Sequence, residues 1–309
     1  MRTPRAPAFE ERTVDELALR DERALESVGV YHDLKSILRR DQYVFRVVPR
    51  QWSSRWDRAL FLNLTYWGGA GGDVVLSPRV AADVLAHAAW HHLAALALAG
   101  PAPSAEALFL GESVASAFDV YLVGQLLRRG GRSAFLETQV PAMAESARAA
   151  GLGARGFKAL LSGIADDPER AFGDLRRLLY DATRALFASD GAGDAMRELW
   201  KLDSQRFAPL LHHYELSNWV LYGRAYSRKR TGNATKQVAR VRAVDAALRS
   251  ETEPVTWLTS QWVKPRLAGA ELAGDLASEK EERGLLAAPA PARARSSPPR
   301  RGARASNRG

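Results

Sequence analysis

His87 and His91 lie in the segment LAHAAWHHLAAL, residues 85–96. On a helix they fall about 40° apart around the axis, so both imidazoles can reach one point. Two histidines at i and i+4 are how a helix presents half of a tetrahedral zinc site. The same stripe runs through Val80, Val84, Ala95 and Leu98, so both rings are expected to face the apolar interior. A buried imidazole needs a partner for at least one ring nitrogen. One metal ion would satisfy both rings; two carboxylates or carbonyls would do the same.

The run His87-Ala88-Ala89-Trp90-His91 resembles the HExxH motif of the zincin metallopeptidases, which sits on a helix following a small sheet. The two metal-ligand positions match His87 and His91. The glutamate position holds Ala88. In that superfamily the glutamate polarises the zinc-bound water and shuttles protons; alanine can do neither. The gluzincin branch draws its third ligand from a glutamate about twenty residues downstream, on the next helix. Glu112 stands 21 residues after His91 and is the third ligand that the resemblance implies, with zinc as the metal. An acid often follows four residues later in that branch; here the position is Ser116, a departure. Asp119 is seven residues from Glu112 and shares its helix face. It is either an alternative ligand or an acceptor for a histidine N–H. The resemblance runs from Arg58 to Leu127.

Both acids lie in an otherwise apolar segment, where an isolated carboxylate is costly unless paired or metal-bound. His87, His91, Glu112 and Asp119 therefore form either a metal site or a buried hydrogen-bonded cluster bracing two helices. Asp83, one turn before His87, either orients that ring or is an ordinary capping acid. His92 is one residue off the stripe and is expected at the rim or surface.

Two other segments carry polar side chains in suggestive order. Leu210–Tyr222 (LLHHYELSNWVLY) contains His212, His213 and Glu215. Its His-x-x-Glu order is the reverse of the di-iron bundle pattern and occurs once, so a packing helix with satisfied polar groups is expected. Tyr222–Arg242 holds Arg224, Arg228, Lys229, Arg230, Lys236, Arg240 and Arg242 without an acid. This is either a solvated face or a phosphate or nucleic-acid surface. Gly68–Gly72 (GGAGG) matches neither a Walker nor a Rossmann fingerprint.

These residues need elements to hold them. Residues 1–12 are expected to be a flexible lead-in and 13–40 helical. Short strands are expected at Tyr43–Val48, Arg58–Tyr66 and Asp73–Leu76, with the glycine run as a tight connection. Ser77-Pro78 predicts the start of the histidine helix, which runs to about Leu98 before Gly100-Pro101. A second long helix is expected over Ala105–Arg129, ended by Gly130-Gly131. Helices follow at Pro141–Ala150, from Asp167-Pro168 to about Asp190, and near 194–206, 209–228, 235–251 and 254–285. Ala288–Gly309 is Pro, Arg, Ala and Ser with no large apolar side chain, and is expected to be disordered.

The fold class is thus α+β by order and mostly α by count: a small N-terminal sheet and motif helices (43–130), then a helical body (131–287), in one zincin-like domain (13–287). Hydrophobic residues make up 46% and there are eight tryptophans, ample for a core. With no cysteine, disulfides, thiol catalysis and Cys-ligated metals are excluded, and any metal rests on His, Asp and Glu. Six arginines after residue 290 account for six of the nine net positive charges, so the basic balance owes much to the tail. No signal peptide or membrane span is expected, which suggests a soluble, cytoplasmic protein. The leading functional expectation is a zincin-like binding or regulatory protein, not a peptidase, whose partner the sequence leaves open between a protein and, through the basic segment and tail, nucleic acid. The alternatives are a metal-dependent hydrolase that recruits another acid as base, Asp83 or Glu106, and a helical protein whose basic arm touches nucleic acid.

Overall fold

The computed structural model describes residues 9–50, 73–98, 103–226 and 234–269. The chain divides into two units, Met1–Leu267 and Ala268–Gly309, and all the elements below belong to the first. The architecture is α+β and mostly α: small sheets near the N-terminus, then a helical body.

The N-terminal part alternates short elements: β1 (Glu10–Thr13), a 3-10 turn (Val14–Glu16), β2 (Ala18–Arg20), α1 (Glu22–Leu25) and α2 (Gly29–Arg40). The helix expected over 13–40 is therefore correct only at its end. The flexible lead-in expected over 1–12 is corrected at its end: residues 10–12 belong to β1, which pairs antiparallel with β3 (Val44–Val47), and residues 1–8 lie outside the described residues. Strand pairing overrides the local helix-like charge pattern here, and Thr13 and Glu16 close a capping box over the single 3-10 turn. In α2 the apolar positions Tyr31, Leu34, Ile37 and Leu38 fall on one face and are fully buried. Each contributes about 2 kcal/mol of burial.

β4 (Val74–Val75) adds to β3 in parallel, and β5 (Arg79–Ala81) pairs in parallel with β2. That second pairing corrects the helix start expected at Ser77-Pro78. The Ser77 hydroxyl instead accepts from the backbone N–H of Arg79, a local turn into β5. Helix α3 begins at Ala82 and runs to Leu98.

Helix α4 (Ala105–Arg128) is the centre of the body. It packs along α3, along α6 (Ala154–Asp166) and along α7 (Pro168–Ala188). It is long and apolar enough to cross a membrane, but 83% of its most apolar window is buried by the rest of the fold. Gly124 allows the close approach, since a Cβ there would stand 2.6 Å from the Ile164 carbonyl oxygen. The helix stops where Gly130 turns left-handed (φ +65°).

Helix α5 (Ala134–Ala149) starts before the expected Pro141, capped by Ser133, and carries that proline inside. Helix α8 (Ala192–Trp200) is shorter than expected. The single helix expected over 209–228 is two elements: a 3-10 segment, Ala208–Tyr214, and α9, Leu216–Tyr226. Glu215 separates them in the left-handed region (φ 42°, ψ 44°), which reverses the helix sense for one residue. Helix α10 (Ala234–Ser250) carries Lys236 on its exposed side, and α11 (Pro254–Leu258) runs into a π turn, Thr259–Val263.

The strand expected at Arg58–Tyr66, the glycine run 68–72, the stop at Gly100-Pro101, the cations Arg228, Lys229 and Arg230, and the tail from Ala288 lie outside the described residues.

Candidate metal centre

Helix α3 supplies both histidines, whose ring centroids are 4.6 Å apart. The stripe drawn through them does not face the interior as expected. Val80 and Leu98 are buried, but Val84 and Ala95 are exposed. The buried face belongs to Leu85, Ala86, Ala89, Trp90 and Leu93. The histidine side chains lie on its edge, 27% and 18% exposed, and look into a cavity of about 240 Å³.

Helix α4 supplies the acids. Gly111 lets it lie against α3, because a Cβ at that position would stand 3.3 Å from the Ala94 Cβ. The next residue, Glu112, is 6% exposed. Its Oε1 lies 3.2 Å from Nε2 of His91. Two turns on, Oδ2 of Asp119 lies 3.1 Å from Nδ1 of His87. Asp119 is thus the acceptor for a histidine N–H, one of its two expected roles.

The second histidine has a matching acceptor that the sequence did not reveal. Nδ1 of His91 lies 3.1 Å from Oδ1 of Asp73, at the entry to β4. Asp73 is held in turn by Tyr43, whose hydroxyl donates to Oδ2 at 2.9 Å and accepts from the Asp73 N–H at 3.1 Å. An acid directly after a glycine run and before a strand was the one signal available. Its partner, 18 residues away, is set by the placement of β4.

Each histidine therefore has Nδ1 on a carboxylate, so Nε2 lies on the opposite side of the ring, in His91 facing Glu112. One ligand atom each from His87, His91 and Glu112 lies within 4.8 Å of the others. With zinc–ligand bonds of about 2.0–2.1 Å, the edge of a tetrahedron is about 3.3 Å. The His91–Glu112 separation of 3.2 Å already matches that edge, and the remaining separations, all within 4.8 Å, would close toward it around an ion. The fourth direction opens on the cavity.

The electrostatics follow from this crowding. Burial works to lower the His91 pKa, but the Glu112 and Asp73 carboxylates hold it well above the ordinary value. For His87 burial is likewise outweighed by Asp119. Burial works to raise Asp73, and the His91 ring holds it down at about 2. Asp83 is pushed up to about 6 by burial and by the Asp119 charge. The hydrogen-bond acceptor at the His87 ring is Asp119, so Asp83 does not take the orienting role.

Ala88 lines the cavity and is buried, so no carboxylate reaches inward from that position. Neither Asp83 nor Glu106, the acids weighed as substitutes, lines the cavity; among the described residues Asp73, Glu112 and Glu215 do. Glu215 comes from the far wall with Asn218, Trp219 and Tyr222 of α9, and Asn218 Nδ2 donates to its Oε2 at 2.6 Å. No sequence rule marks a glutamate for a left-handed kink, so the sequence carries no signal for this wall. His213 does not share the site: its Nε2 contacts Gln139 Oε1 at 3.3 Å, and His212 is exposed. His92 pairs with Asp41 at 2.7 Å, against the ring of Tyr43.

No family model, curated protein or solved structure matches the chain.

Proposed function

We propose that the protein is a zincin-like metal-binding protein that holds one zinc ion through Nε2 of His87, Nε2 of His91 and the carboxylate of Glu112, and that it acts as a binding or regulatory protein rather than a peptidase. The supporting observation is the pairing of both Nδ1 atoms with carboxylates, Asp119 for His87 and Asp73 for His91. Outer acceptors of this kind orient histidine ligands and raise their basicity. Zinc bound there would polarise a group in its open fourth position. The residues would do the rest: Asp73 and Asp119 hold the rings, Glu112 neutralises charge, and Ala88 leaves the proton-shuttling position empty. The cysteine-free composition is compatible with the cytoplasm as its place.

Metal analysis of the purified protein tests this reading. One equivalent of zinc in the wild type, lost in His87→Ala, supports it; a metal-free wild type after zinc loading rules it out. A second reading, a metal-dependent hydrolase, is favoured by one observation: Glu215 places a carboxylate on the opposite wall of the same cavity. Peptide hydrolysis separates the two. A wild type that is inactive until Ala88→Glu is introduced supports the binding protein. A wild type that cleaves peptides, and stops on Glu215→Gln, supports the hydrolase.

A further inference from the structure

A second cavity, of about 260 Å³, lies between α7 and the turn before the 3-10 segment, lined by Asp174, Arg177, Gln205, Arg206 and Phe207. Its cations are fixed in unequal ways. The Arg206 guanidinium lies over the Phe207 ring at 4.9 Å and donates to Asp174 Oδ2 at 3.4 Å. It also rests against α6 where residue 163 is glycine, since a Cβ there would stand 2.8 Å from its Nη2. Arg206 is therefore held in place by a ring, a carboxylate and a missing side chain.

Arg177 is the unbalanced member. Its Nε is buried and has no hydrogen-bond partner among the described residues. The carboxylate that could neutralise it, Asp174, is already faced by Arg206 and, at 3.8 Å, by Arg170. The cavity lining thus carries two guanidinium groups, Arg177 and Arg206, against one carboxylate, Asp174, which Arg206 already engages. A buried charged donor without an acceptor costs more than an ordinary lost hydrogen bond. A planar guanidinium is shaped for two oxygens of one oxyanion. The volume is below the ~300–1,000 Å³ typical of pockets for drug-sized ligands, which favours a small ligand.

We propose that this cavity binds a phosphoryl group, free or as a small phosphomonoester, held by Arg177 and Arg206 with Gln205 as a neutral donor. The site is separate from the metal centre and does not depend on it. Calorimetric titration of the full-length, metal-free protein at constant ionic strength tests it, with inorganic phosphate and phenyl phosphate as probes. Saturable binding is expected, weakened about tenfold or more in Arg177→Met and in Arg206→Met, and unchanged in Arg197→Met, which alters an exposed arginine elsewhere. Tighter binding of phenyl phosphate assigns the site to a phosphomonoester; tighter inorganic phosphate assigns it to the free ion. If Arg177→Met does not fold by circular dichroism, Arg177→Lys keeps the charge but removes the buried Nε–H, and weaker binding is still expected. No saturable binding in the wild type, or equal affinity in the folded Arg177 variant, overturns the proposal.

Discussion

Nδ1 of His87 lies 3.1 Å from Oδ2 of Asp119, so helix α4 aims a ring that helix α3 supplies. Asp73, the residue before β4, does the same for His91. Removing either acceptor frees a ring to rotate and lowers its basicity. Asp119→Ala and Asp73→Ala are each expected to weaken zinc binding by about 10–100-fold, read by competition with a chromogenic chelator. An affinity unchanged in both would show that these carboxylates do not position the ligands.

Glycine substitutions should divide by the space around them. At Gly124 a Cβ would strike the Ile164 carbonyl oxygen and Pro168. The neighbour is backbone, which cannot give way cheaply, so the clash outweighs the helix-propensity gain of alanine. Gly124→Ala is expected to cost about 1–3 kcal/mol and lower Tm by several degrees. Gly29, in the first turn of α2, has nothing within 4 Å. Gly29→Ala is expected to stabilise by up to about 1 kcal/mol. Thermal melts that rank the two the other way would mean that α4 and α6 pack less closely than described.

Arg176 is fully buried and its guanidinium pairs with Asp245. Asp245 also accepts from Arg249 at 2.9 Å. Asp245→Ala leaves a buried cation without its counter-charge and is expected to destabilise by about 3–5 kcal/mol. Arg176→Met combined with Asp245→Leu removes both charges and should recover most of that loss. Urea melts of the single and double variants decide; a double variant as unstable as Asp245→Ala would place the cost in packing instead.

Burial works to raise the Asp41 pKa, but hydrogen bonds from His92, Arg266 and Arg40 hold it down to about 2. Its pKa is lower folded than unfolded, so its contribution is complete above the unfolded value of about 4 and is lost as pH falls from 4 towards 2. The shift corresponds to about 2 kcal/mol. Asp41→Asn is therefore expected to be less stable than the wild type at pH 7 and to approach it near pH 2. A constant difference across that range would contradict the ionic origin.

The helices were legible where one apolar face carried the signal, as with Phe172, Leu175, Leu179 and Ala182 of α7, or where the whole segment is apolar, as in α4, which is buried on nearly all sides. The β1 and β2 strands were not, because Glu10–Thr13 is wholly polar, Ala18–Arg20 is only three residues long, and both owe their form to partners about 35 and 60 residues away. The same limit governed the site. His87, His91 and Glu112 follow helical spacing and were readable, and so was Asp119. Asp73 and Glu215 reach the cavity through a parallel strand pairing and a left-handed kink, and neither leaves a periodic trace. The apolar stripe misleads about the facing of His87 and His91 because Val84 and Ala95, apolar in type, lie on the exposed side of α3.

Zinc-edge anomalous diffraction from crystals grown with zinc tests the central claim most directly. One peak is expected in the α3–α4 cavity, about 2.0–2.2 Å from Nε2 of His87, Nε2 of His91 and a carboxylate oxygen of Glu112, with Asp119 and Asp73 still bound to the two Nδ1 atoms. No peak there, or a peak bound through Nδ1 with those carboxylates displaced, would contradict it.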